Sequence, residues 1–116
     1  MTQDPVKPPA DPSAVSAEAV VERFLDAIWM ERGLSKNTLA AYRADLMALA
    51  RWLSQQNVSL VDAGRSHLLD FIAWRVESGA RPRSTARQLS CFRRFFRYLV
   101  REGRRSDDPT AKIQMP

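Results

Sequence analysis

The sequence predicts an all-α domain of four helices, and three observations carry that expectation. Apolar residues recur at spacings of three and four in four separate segments, and no stretch alternates with the period of two that marks a strand. Four of the seven prolines fall in residues 1–13, and none follows until Pro82, so helices are permitted throughout the interval. Gly33, Gly64, Gly79 and Gly103 fall between the periodic segments, and three of them directly follow an apolar-periodic run, where a helix-ending residue is wanted.

Residues 1–15, opening MTQDPVKPPADPS, read as a flexible Pro-rich leader with few apolar side chains. The first helix is expected over roughly 17–32, with Val20, Val21, Phe24, Leu25 and Ile28 on its apolar side. The second, roughly 36–56, repeats Leu39, Tyr42, Leu46, Leu49 and Leu53. The third, roughly 67–78, is expected to bury Leu68, Leu69, Phe71, Ile72 and Val76. The fourth, roughly 85–102, presents Leu89, Phe92, Phe95, Phe96, Leu99 and Val100. Ser16, Ser35, Ser66 and Ser84 stand where each helix would begin, and a serine hydroxyl can accept from the free N–H groups of a first turn. One domain is expected over residues 16–105, and residues 106–116 lose the period and read as a departing linker.

Charge is the feature that points to function. The chain carries a net +5, but residues 81–105 hold nine arginines against the single acid Glu102, and the remainder is net negative. A localised basic segment suggests a surface for a polyanion. At 100° per residue, Arg87, Ser90, Arg94, Arg97 and Arg101 share one face of the fourth helix, with the apolar residues opposite. Arg83 and Ser84 extend that face past its N-terminal end. Like charges at these spacings repel unless something anionic lies across them, either a ligand or acids from elsewhere in the fold. The functional reading is phosphate contact by Arg and Ser, with one or two arginines reaching guanine edges. A second surface is SKNTLAAYRADL, residues 35–46. There Lys36, Ala40, Ala44, Met47 and Arg51 lie opposite the leucines, and Ser35, Asn37 and Thr38 offer hydrogen-bonding groups.

Other classes are disfavoured. There is no Gly-rich phosphate loop, C-x-x-C or histidine pair, so no cofactor and no metal are expected. His67, the only histidine, lacks a catalytic partner nearby and reads as structural. Cys91, the only cysteine, permits no intramolecular disulfide and reads as a small residue at the edge of the packed face. A membrane-surface helix would need the phenylalanines that a small bundle needs for its core. With no spanning run and no signal peptide, the expectation is a cytoplasmic protein without catalysis of its own.

Taken together, FLDAIWMERGLSKNTLAAYRADLMALARWL, RSTARQLSCFRRFFRYLVREG and DDPTAKI resemble the N-terminal core-binding domain of tyrosine site-specific recombinases, the phage-integrase SAM-like domain. FLDAIWMERGLS and REGRRSDDPTA are most similar to the D-type branch of the bacterial Xer recombinases. The resemblance implies a four-helix orthogonal bundle that clamps one side of a double-stranded DNA half-site, its second and fourth helices crossing in the major groove. It implies DNA-binding roles for Ser35, Lys36, Thr38 and Arg43, and for Arg83, Ser84, Arg87, Ser90 and Arg94. Arg97 and Arg101 extend the stripe toward DNA, a catalytic domain or a neighbouring protomer. It also implies a catalytic domain C-terminal to Pro116, which cuts DNA through a phosphotyrosine bond without metal or ATP. The full-length protein would work as a tetramer with other recombinase protomers in chromosome dimer resolution at cell division, and the fragment alone would be monomeric. On this reading Arg87→Ala or Arg94→Ala weakens DNA binding and leaves melting unchanged. The competing reading is a helical protein-interaction module docking an acidic partner through the arginine face. A helix-turn-helix regulator fits less well, because its two motif helices are shorter and closer in sequence.

Overall fold

The computed structural model describes residues 12–114. Its elements, in order, are α1 (Pro12–Arg32), α2 (Lys36–Ser54), a single 3-10 turn (Leu60–Asp62), α3 (Arg65–Glu77) and α4 (Pro82–Arg101). The described residues contain no strand, as the periodicity requires. Of the expected leader, residues 1–11 lie outside the described residues, while residues 12–15 already belong to α1.

Of the serines expected to cap helices, Ser35 does so: its Oγ accepts from the Thr38 N–H at 3.1 Å. Ser16, Ser66 and Ser84 lie inside helices. At α3 the cap position is Gly64, and His67 reaches back so that its Nδ1 accepts the Gly64 N–H at 2.9 Å. This satisfies a free donor of the first turn and gives the one histidine a structural task. At α4 the first helical residue is Pro82, whose missing N–H is no loss there and whose fixed φ suits a helix start.

Helix ends follow one device. Gly103 takes φ +73°, and the N–H groups of Gly103 and Arg104 return to the carbonyls of Val100 and Leu99 at 3.0 and 2.8 Å. Asn57, at φ +60°, closes α2 by the same pattern, so that helix ends at Ser54 rather than near residue 56. The turn Gly33–Ser35 then folds α2 back along α1.

All five phenylalanines, Phe24, Phe71, Phe92, Phe95 and Phe96, are fully buried. Phe24 meets Phe95 edge-on at 5.3 Å, Phe95 meets Phe96 at 5.0 Å, and Phe71 meets Phe92 at 5.8 Å, which ties α1, α3 and α4 together. Each such burial stabilises the fold by about 1.5–3 kcal/mol. The expected α1 and α2 stripes are the observed ones, with Leu39 only half-buried. In α3, however, Leu68 and Phe71 are buried while Leu69 and Val76 are exposed. A 13-residue helix packed through one narrow face does not cover a five-residue stripe.

The segment after α4 is irregular but does not leave the domain at once. Arg105 donates to the carbonyls of Val61 and Ala63 at 2.8 and 2.7 Å, lies over the Phe96 ring, and pairs with Asp107. Thr110 and Ile113 are buried, and Arg93 donates to the Ile113 carbonyl. Two arginines of the basic run therefore hold the chain's own backbone.

Candidate nucleic-acid interface

Packing brings the charged face of α4 beside α2. Two contacts set the register. The buried carboxylate of Asp45 on α2, 3% exposed, accepts from Nε and Nη2 of Arg87 at 3.0 and 2.8 Å. Two turns further along α4, the Arg94 guanidinium lies 5.9 Å from the centre of the Tyr42 ring. Between them Cys91 packs against Tyr42, its Sγ 3.8 Å from the Tyr42 carbonyl oxygen. Burial pushes the Cys91 thiol well above its ordinary value of 9.0, so the side chain is a small core residue.

Every expected DNA-binding residue lies on α2, on α4 or at a cap, and the structure separates them by how their polar groups are occupied. Ser35, Lys36, Arg83 and Ser90 are exposed, and Thr38 and Ser84 half-buried. The Ser35 hydroxyl donates to Thr38 Oγ1 at 3.0 Å, so both hydroxyls already take part in the cap. Arg43 is locked in a two-point pair with Glu22 of α1, Nε to Oε2 at 2.6 Å and Nη2 to Oε1 at 2.9 Å. That guanidinium holds the Glu22 carboxyl below its ordinary 4.5. Arg101 pairs with Glu31 at 2.9 Å. Lys36, Arg83, Arg94 and Arg97 have no acidic partner among the described residues. The Nη1 of Arg94 is buried without a hydrogen-bond partner among the described residues. The acids from elsewhere in the fold that the sequence left open thus neutralise part of the face and leave the rest charged.

Two concavities flank this face. One, of about 550 Å³, lies among α2, α3 and α4 and is lined by Ala44, Ala48, Arg51, Trp52, Trp74 and Arg87, among others. The other, of about 370 Å³, lies between the end of α1 and the second half of α4, where Arg32, Arg94, Arg97 and Arg101 surround Tyr98. Arg32 and Arg75, which also lines the first concavity and donates to Gln88 Oε1 at 3.2 Å, were not singled out by the sequence. Neither lies on the α4 stripe, and only tertiary packing brings them to it. Such a surface offers guanidinium groups beside small alanines and aromatic edges, the chemistry that contacts phosphates and base edges. No helix among the described residues is long and apolar enough to cross a membrane.

Comparison with known proteins follows the same lines. Residues 21–103 match the family described as phage integrase, N-terminal SAM-like domain. The chain is 53% identical over 97 residues to the tyrosine recombinase XerD of Pseudomonas putida, an alignment covering 84% of this chain and 33% of that protein. It is 50% identical over 97 residues to the tyrosine recombinase XerD of Yersinia pestis, covering 84% and 32%. To the tyrosine recombinase XerD of Xanthomonas axonopodis pv. citri it is 46% identical over 108 residues, covering 93% and 33%. The chain spans about a third of the length of the curated relatives it matches.

Proposed function

Because the chain belongs to the N-terminal SAM-like domain family of phage integrases, we propose that it is the DNA-binding domain of a D-type tyrosine recombinase. In this reading α2 and α4 enter the major groove of a recombination half-site. Ser35, Lys36, Thr38 and Arg43 meet DNA from α2, and Arg83, Ser84, Arg87, Ser90 and Arg94 from α4. Strand cleavage and rejoining belong to residues outside these 116, and other recombinase protomers complete a tetramer on paired sites in the cytoplasm. Chromosome dimer resolution is the process served.

The observation that carries this reading is the juxtaposition of α2 and α4 through Asp45–Arg87 and Tyr42–Arg94, with cations on the same surface that have no acidic partner among the described residues. A merely solvated face gains from pairing its charges, and Lys36, Arg83, Arg94 and Arg97 have no acid within ion-pair distance among the described residues. The rival is an acidic protein partner docked through the same arginine face, which needs the cations but not the groove-fitting pair of helices.

Titration of the chain against a half-site duplex and its shuffled counterpart, at low and moderate salt, separates the two. Salt-sensitive binding that prefers the half-site supports the proposal. Absence of binding even at low salt overturns it in favour of the protein partner.

A further inference from the structure

The polyanion-binding surface treats its arginines unequally, and Arg87 differs most. Its Nε and Nη2 are both committed to Asp45, at 3.0 and 2.8 Å, and that carboxylate is 3% exposed. Yet the Arg87 side chain remains 45% exposed. A guanidinium has five N–H donors in a fixed plane. Using the Nε–Nη2 edge for a carboxylate leaves the end of the plane, formed by Nη1 and the second Nη2 hydrogen, directed away from Asp45. Two parallel donors at that end match the O6 and N7 acceptors of guanine in the major groove.

We propose that Arg87 reads a guanine, that buried Asp45 is its positioning residue, and that the unpaired cations around it anchor the backbone without reading sequence. The proposal rests on the DNA-binding reading above and goes beyond it by assigning specificity to one side chain. Three physical points favour a reader over an anchor here. The Arg87–Asp45 pair is neutral as a unit, so it adds little to phosphate attraction, which Lys36, Arg83, Arg94 and Arg97 supply instead. The bidentate pair fixes the guanidinium plane before DNA arrives, so little side-chain entropy is left to lose on docking. Ala44 and Ala48 line the concavity beside Arg87, so at those two positions α2 carries no bulk to hold a base edge away, the larger Arg51 and Trp52 following toward its C-terminal end.

The experiment is a selection of duplexes from a pool randomised over a half-site, using the wild-type chain, followed by affinity measurements on the selected duplex. Each guanine is replaced in turn by adenine and, separately, by 7-deazaguanine, which lacks only the N7 acceptor. One guanine is expected whose replacement costs the wild type about tenfold or more, the discrimination a bidentate pair supplies. Asp45→Asn and Arg87→Lys are expected to lose most of that penalty at this position and at no other. Asp45→Asn, which removes a negative charge from the face, is expected to bind the shuffled duplex at least as tightly as the wild type. A structural bridge alone could also tighten binding to the shuffled duplex, but it would not remove the guanine penalty at one position. A guanine penalty unchanged in both variants overturns the proposal, and so does a wild-type selection that shows no guanine requirement. The 7-deazaguanine arm needs no variant to fold. Failure of the chain to bind any duplex overturns the underlying DNA-binding reading, a result distinct from binding without an Arg87-linked guanine.

Discussion

Arg97 and Arg101 stand one turn apart on α4, and removing them is expected to have unequal effects on DNA binding. Arg97 has no acid within ion-pair distance among the described residues, whereas Arg101 holds Glu31 at 2.9 Å and Glu102 at 3.7 Å. Seven cations make up the face expected to meet DNA together with its extension along α4: Lys36, Arg43, Arg83, Arg87, Arg94, Arg97 and Arg101. Three of them, Arg43, Arg87 and Arg101, are paired with Glu22, Asp45 and Glu31, which leaves four to displace counterions. At about 0.9 per phosphate neutralised, four free cations give a slope of log affinity on log salt near −3.6, against about −6.3 if all seven counted. Raising salt from about 50 to 200 mM then weakens binding roughly 150-fold rather than roughly 6,000-fold. Arg97→Ala is expected to flatten the slope by about 0.9, Arg101→Ala to leave it nearly unchanged, and Glu31→Gln to steepen it by about 0.9 as Arg101 is released. Fluorescence anisotropy of a labelled duplex across that salt range measures all three. Equal flattening by the two arginine variants, or a wild-type slope near −6, would show that the ion pairs open on DNA and would refute the reasoning.

Three further outcomes test the frame that holds this surface. Phe95, fully buried and edge-on to both Phe24 and Phe96, is expected to cost about 3–5 kcal/mol when cut to alanine, read as a lowered urea midpoint at unchanged slope. Pairing with Arg43 lowers the Glu22 pKa in the folded state, so its contribution is full above the ordinary 4.5 and is lost as pH falls through the lowered value. The stability gap between wild type and Glu22→Gln is therefore about 0.2–1 kcal/mol at neutral pH, modest because both side chains are nearly half exposed, and it closes in acid. Cys91 is buried with its thiol pKa raised, so an aromatic disulfide reagent at mildly alkaline pH is expected to modify it only on unfolding; rapid reaction of the native chain would contradict that packing.

The number of helices and most of their buried faces were legible in the sequence because an apolar stripe is a local property. Val20, Val21, Phe24, Leu25 and Ile28 mark α1 by spacing alone, and the structure buries all five. What spacing does not give is the width of the face that a neighbour covers, so Leu69 and Val76 were expected inside and are exposed. Caps were half legible. Ser35 is a side-chain acceptor in the expected place, but His67 reaches Gly64 from within the helix and Pro82 needs no acceptor at all. Within the candidate site, the composition of the basic face was readable, and its state of charge was not. The acids that decide it lie 21, 42 and 70 residues away from Arg43, Arg87 and Arg101. The same distance in sequence hides Arg105, whose partners Val61 and Ala63 belong to the 3-10 turn and the residue after it.

The face proposed to meet DNA is also the seam between α2 and α4, and this changes what alanine substitution there can show. From sequence alone, Arg87→Ala is expected to weaken binding without affecting stability. With Asp45 buried behind it, truncation leaves a carboxylate at 3% exposure without its partner. That should cost about 1–3 kcal/mol, less than the 3–5 of a fully buried pair because Arg87 itself is half exposed. Arg94→Ala exposes no such charge. It removes a guanidinium whose Nη1 is unsatisfied and whose main contact is the Tyr42 ring, so its melting temperature should stay close to wild type. Thermal melts of the two variants therefore differ even if both lose DNA affinity to the same degree. Replacing Arg87 and Asp45 together by methionine and leucine should restore much of the stability lost in Arg87→Ala while leaving sequence preference absent. If Arg87→Ala melts like the wild type, Asp45 is solvated in solution and the bidentate pair is not what sets the register of the two helices.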